Sequence, residues 1–142
     1  MKVSEVMTAQ VATADPTKSI KAVGKMMSDV DTGAIPVVED GRIVGLVTDR
    51  DIVLRAVAED ANLDAPVSSI MTEDVQTCSE EDSVADAVGK MASLAIRRLV
   101  VTNEAGRMVG IISLGDISKD YGAKQVGKTL EEISQEPGEA AH

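Results

Sequence analysis

Gly41-Arg42-Ile43-Val44-Gly45-Leu46-Val47-Thr48-Asp49-Arg50-Asp51-Ile52 returns later in the chain as Gly106-Arg107-Met108-Val109-Gly110-Ile111-Ile112-Ser113-Leu114-Gly115-Asp116-Ile117. A match of this length, kept in order, marks a duplicated unit. Working outward, Val6-Met7-Thr8 returns as Ile70-Met71-Thr72 and Val11-Ala12-Thr13 as Val75-Gln76-Thr77, each about 64 positions on. The spacing grows by one residue just before Gly106, in a predicted hairpin turn, where an insertion disturbs least.

Each copy reads as one β-α-β-β-α unit. A short strand is predicted at Val11 to Thr13 and ends at Asp15-Pro16, since proline leaves the ladder without a donor. Apolar residues then recur at three and four: Ile20, Val23, Met26, Met27 and Val30 in one copy, Val84, Ala87, Val88, Met91 and Leu94 in the other. That is the period of a helix with one buried face. Ile35-Pro36-Val37-Val38, the turn Glu39-Asp40-Gly41-Arg42, and residues 43–47 read as a hairpin, as does the stretch around Glu104-Ala105-Gly106. The polar starts Thr48-Asp49-Arg50-Asp51 and Ser113-Leu114-Gly115-Asp116 each open a second helix, with Ile52, Val53, Ala56 and Val57 expected on its buried side. The expected organisation is α+β: repeat 1 over residues 1–60, a linker at 61–66, repeat 2 over 67–122, and an acidic tail at 123–142 that frays or forms a loose helix.

Composition narrows the function. Among 142 residues the formal net charge is −10, which opposes binding to nucleic acid and to anionic membranes. No apolar run approaches the roughly 20 residues of a membrane span, and the N-terminus lacks a signal-peptide core, so a cytoplasmic location is expected. Cys78 is the single cysteine, which precludes an intramolecular disulfide and a multi-cysteine metal site. His142 is the single histidine and stands last, so an imidazole base or His-liganded metal has no residue to use. No catalytic residue and no metal site are assigned. With no Phe or Trp and only Tyr121, a stacking platform for bases is also missing, and any adenine site must be aliphatic.

The duplicated motifs resemble the cystathionine-β-synthase-type (CBS) domain family, and the pair resembles a Bateman module, over residues 3–121. The resemblance implies two repeats packed with pseudo-two-fold symmetry, clefts between them for adenosine-containing ligands, and pairing of modules into a homodimer. It also implies that the Asp of Gly-x-x-[Ser/Thr]-x-x-Asp holds the ribose hydroxyls and that the Ser/Thr assists at ribose or phosphate. Those positions are Thr48 with Asp51, and Ser113 with Asp116. The chemistry fits, because a carboxylate accepts two hydrogen bonds from a vicinal diol. The same residues at a helix start also read as ordinary caps.

By the same resemblance, adenine in the first site lies against Thr8, Ala12, Thr13, Ala34, Ile35 and Pro36, and in the second against Thr72, Gln76, Thr77, Arg98, Leu99 and Val100. The copies differ where Thr32-Gly33-Ala34-Ile35-Pro36 aligns with Ile96-Arg97-Arg98-Leu99-Val100, the latter resembling the gamma subunit of AMP-activated protein kinase. That likeness implies that Arg98 serves the Thr48/Asp51 site, where its planar fork suits phosphate oxygens. A surface ion pair is the other role open to Arg97 and Arg98. Arg50 either joins the first site or pairs with Asp49 or Asp51. The expected function is regulatory binding of AMP, ADP, ATP or a related adenosyl ligand, without catalysis. No cofactor is obligatory, Mg²⁺ enters only through the nucleotide, and an effector protein supplies the output. The alternative is a dimeric interaction module with vestigial clefts.

Overall fold

The computed structural model describes residues 1–120; the expected acidic tail at 123–142 lies outside the described residues. The chain forms two compact units, one of Val11–Val75 and the other of Met1–Gln10 with the chain from Gln76 onward. They are offset from the sequence repeats by one segment: residues 67–75, which open the second repeat, belong to the unit that holds most of the first, and Met1–Gln10 belongs to the other.

In the Val11–Val75 unit, helix α2 (Ile20–Val30) starts at Ser19, whose hydroxyl accepts from the Ala22 N–H, and ends at Asp31 in the left-handed region. Strands β1 (Ala34–Glu39) and β2 (Arg42–Thr48) form an antiparallel hairpin. Its two-residue turn puts Asp40 and Gly41 at φ 53° and 79°, the backbone that matches the twist of the strands it joins. A one-residue bulge falls at Val44. Helix α3 (Asp49–Asp51) runs into a π-helical segment, Ile52–Val57, and a 3-10 turn follows at Val67–Ser69. The core gathers Ile20, Val23, Ile35, Val37, Val47, Ala56, Val67 and Ile70.

The other unit repeats this plan. It begins with α1 (Val3–Val6) and continues with β3 (Thr77–Ser79), α4 (Val84–Leu94, capped by Ser83), β4 (Arg98–Thr102), β5 (Met108–Ser113) and α5 (Leu114–Asp120). Strand β4 pairs in parallel with β3 and antiparallel with β5, again with a bulge at the matching valine, Val109. Asn103 organises the longer hairpin loop: its side-chain oxygen accepts from the N–H groups of Ala105 and Arg107, both at 3.0 Å. The core contains Val3, Val6, Val88, Met91, Leu99, Val101, Ile112 and Ile117. Cys78 lies within it, and burial, with Asp82 adding, pushes its thiol up to about 11, so it stays a protonated core residue at neutral pH.

Three expectations are corrected. Val11 to Thr13 is not a strand; only Ala14 bridges to Val37, through Ala14 N–H to Pro36 O (3.0 Å) and Val38 N–H to Ala14 O (2.9 Å). The next rung toward the N-terminus would need an N–H at position 36 to donate to the Ala12 carbonyl, and proline has none. At the corresponding place in the other unit the Val100 N–H does donate to Gln76 O, at 3.2 Å. Second, Val53 and Val57 are exposed (55% and 60%) while Ala56 is fully buried, because the wider i→i+5 turns at Val53–Ala58 and Ala56–Ala61 rotate them out of the core. Third, Val30 and Leu94, the last members of the two helical stripes, are exposed where each helix meets its left-handed terminal residue.

Candidate functional site

In both units a hydroxyl and a carboxylate close a reciprocal box at the strand-to-helix junction. The Thr48 N–H donates to Asp51 Oδ2 (2.9 Å) and the Asp51 N–H to Thr48 Oγ1 (3.1 Å). The Ser113 N–H donates to Asp116 Oδ2 (3.0 Å) and the Asp116 N–H to Ser113 Oγ (3.2 Å), with the Ser113 hydroxyl also within reach of Oδ2 at 3.1 Å. The capping role is therefore real, since each box satisfies backbone donors that the helix start leaves unpaired. Each junction is tied further to the loop before its hairpin, through Asp49 N–H to Gly33 O (2.9 Å) and Leu114 N–H to Arg97 O (3.0 Å).

The second carboxylate oxygen of each box faces a side chain outside the box, and here the units part. Asp51 Oδ1 faces the guanidinium of Arg55, with Nε at 3.8 Å. Asp116 Oδ1 accepts from the Thr8 hydroxyl at 3.2 Å. Thr48 and Asp51 are buried, at 4% and 5% exposure, whereas Ser113 and Asp116 are partly exposed. Arg55 is fixed from its other side as well: its Nη1 donates to the carbonyls of Ile70 (3.2 Å) and Met71 (3.4 Å). Arg55 was not among the residues picked out by the repeat, although its i,i+4 spacing from Asp51 was visible in the sequence.

The remaining candidates fall as follows. Ala12, Thr13, Ala34, Ile35, Pro36, Arg50 and Thr72 share the unit of Thr48 and Asp51; Thr8, Gln76, Thr77, Arg98, Leu99 and Val100 share that of Ser113 and Asp116. Thr72 is held in its unit by a reciprocal pair of backbone bonds to Leu46, at 2.8 and 2.9 Å. Thr8, grouped by resemblance with Asp51, is bonded to Asp116 and pairs through its backbone with Ile111. Ile35 and Leu99 point into the two cores, while their strand neighbours Ala34, Pro36, Arg98 and Val100 alternate to the opposite face. Lys90 donates its ammonium to the Thr77 carbonyl. The Arg50 N–H is held by Asp49 Oδ1 at 2.8 Å, and the ion pair to Asp51 is made by Arg55 instead.

Among the described residues no group of three or more His, Cys, Asp or Glu is placed to hold a metal ion, and no helix is long and apolar enough to cross a membrane.

Comparison with known proteins agrees with this architecture. The family model described as the CBS domain matches twice, at residues 3–58 and 67–122. The CBS domain-containing protein YhcV of Bacillus subtilis is 37% identical over 135 residues, covering 94% of this chain and 96% of its own length. Among solved structures, the CBS domain protein PAE2072 from Pyrobaculum aerophilum, complexed with AMP, superposes with a TM-score of 0.77 at 27% identity, over 96% of this chain and all of that one (100%). The CBS domain pair of protein MJ0100, in complex with 5′-methylthioadenosine and S-adenosyl-L-methionine, gives 0.76 at 29% identity, over 87% and 98%. With both copies matched and their hydroxyl-carboxylate boxes formed, this chain belongs to the CBS domain family as a tandem pair.

Proposed function

We propose that the chain is a non-catalytic regulatory module that binds an adenosine-containing small molecule, with an adenine nucleotide (AMP, ADP or ATP) as the ligand of the half carrying Thr48 and Asp51. The observation behind this reading is how each box carboxylate divides its oxygens: Oδ2 goes to the backbone, while Oδ1 is directed at a side chain outside the box. A carboxylate has acceptor capacity for about four hydrogen bonds, so a cap and a ribose diol are compatible on one Asp. The complexes of PAE2072 with AMP and of MJ0100 with adenosyl compounds support the ligand class. In this reading Thr72 serves the Asp51 half, Thr8 serves the Asp116 half, and any Mg²⁺ arrives on the nucleotide.

Calorimetry with AMP and adenosine tests it. Asp51→Asn keeps the shape of the cap and removes the charge from the diol acceptor; the loss of about 1.5–3 kcal/mol typical of a charged hydrogen bond corresponds to a tenfold or greater drop in affinity. Unchanged affinity for both ligands would remove Asp51 from the site.

A second reading, an interaction module with unused clefts, draws support from Val53, Leu54 and Val57, an apolar set exposed on the π-helical segment. A thermal-shift panel of adenine nucleotides, 5′-methylthioadenosine and S-adenosylmethionine separates the two, since a module with unused clefts gains no stability from any of them. In either reading the chain works as a homodimer in a reducing compartment and hands its output to an effector protein.

A further inference from the structure

The side chain four positions beyond the box carboxylate differs in sign between the halves: Arg55 follows Asp51, and Asp120 follows Asp116. One position before the carboxylate the contrast has the same direction, Arg50 against Gly115. Over the aligned helix starts, Asp49, Arg50, Asp51 and Arg55 sum to 0, whereas Asp116, Lys119 and Asp120 sum to −1, with Arg98 opposite Ser113 on the neighbouring strand. Arg55 is also held in place. Its Nε lies 3.8 Å from Asp51 Oδ1, its Nη1 is clamped by two backbone carbonyls, and half of the side chain stays open to solvent, at 52%. A guanidinium fixed in this way gives up little conformational freedom when it meets a further anion, and it has N–H donors left over.

We infer that Arg55 is a specificity-determining residue of the Asp51 half, admitting ligands that carry negative charge next to the ribose, and that Asp120 reverses the preference in the Asp116 half toward neutral or cationic adenosyl ligands. The inference rests on the diol-binding reading of Asp51 and Asp116. A ribose held by its diol keeps a 5′ substituent within the screening length of about 8 Å, so the charge beside the carboxylate acts directly on that substituent. Next to Asp51, the guanidinium offsets the carboxylate that would otherwise repel a phosphate. In α5, Asp116 and Asp120 are one helical turn apart, so the place that holds a cation beside Asp51 holds a second carboxylate beside Asp116, which disfavours phosphate there relative to the Asp51 half.

The test uses the full chain and three probes of one scaffold, adenosine, AMP and S-adenosylmethionine, by calorimetry in Asp116→Ala and Asp51→Ala backgrounds that isolate one half at a time. In the Asp51 half, Arg55→Gln is expected to weaken AMP about five- to tenfold while adenosine stays within about twofold. Arg55→Lys, which keeps the charge and loses the two-carbonyl clamp, should hold the AMP-to-adenosine ratio within about threefold of the parent. In the Asp116 half, S-adenosylmethionine should bind more tightly than AMP, and Asp120→Arg should reverse the order. Equal losses for adenosine and AMP in Arg55→Gln, or loss of discrimination in Arg55→Lys, would show that Arg55 only braces the carboxylate. A parent chain that binds none of the three overturns the diol reading itself, whereas one that binds all three without regard to the Arg55 variants overturns only the specificity.

Discussion

A methyl group added at Gly110 would sit 2.6 Å from the Thr8 carbonyl oxygen and 2.9 Å from the Met7 sulfur, so the backbone of the leading segment would have to move. Gly110→Ala is expected to cost about 1–3 kcal/mol, the usual range for overpacking a site that cannot yield. Gly89 stands in the middle of α4 with nothing within 4 Å of the same methyl, and there glycine only adds freedom to the unfolded chain. Gly89→Ala should therefore stabilise by about 0.5–1 kcal/mol. Paired denaturant melts check this, and shifts of the same sign would refute it. The repeat made Gly45 and Gly110 equivalent in the sequence, but it could not say why, because the atoms that require them belong to Met71 and to the Met7-Thr8 segment, far away along the chain.

The strongly periodic elements were legible in the sequence, and the irregular ones yielded to local chemistry. Both long helices and both hairpins lie where the spacing of apolar residues put them, because each needs only its own period and turn residues. The strand at Val11 to Thr13 does not form, and the cause was in the sequence all along: Pro36 removes the donor that the Ala12 carbonyl would use. Pro36→Val restores that donor. One ladder bond is worth about 0.5–1.5 kcal/mol, and losing proline's restriction of the unfolded chain returns about 0.4–1 kcal/mol, so net stability should change by less than about 1 kcal/mol. The new amide at position 36 should nonetheless be strongly protected from hydrogen exchange; rapid exchange there would mean that the parallel rung does not form. The buried face of the helix after Thr48 departs from the sequence pattern for a different reason, because a period of 3.6 does not hold where the backbone adopts the wider π turn. The box residues of the candidate site are legible from the duplication, and Arg55 is legible from its i,i+4 spacing to Asp51, whereas Thr8 reaches Asp116 only through folding.

For the molecule as a whole, the proposed dimer has to overcome a formal charge of −10 on each copy. Like-charged copies repel except where charge is absent, and Val53, Leu54 and Val57 provide such a surface on one repeat, where the aligned positions of the other carry Ser118, Lys119 and Gly122. Sedimentation should show association that tightens as salt screens the repulsion, and Val57→Asp should weaken it at least tenfold. An unchanged constant in that variant would place the contact elsewhere. The offset between sequence repeats and compact units also bears on how the chain is made. Val3 donates to the Asp82 carbonyl and Thr8 pairs with Ile111, so during synthesis Met1–Gln10 waits on the order of 5–20 seconds for its partners. The partners within Val11–Val75 are all made before that. Met1–Gln10 is thus made before Val11–Val75 but joins partners made after it, and until then Val3 and Val6 are open to solvent, chaperones and neighbouring chains.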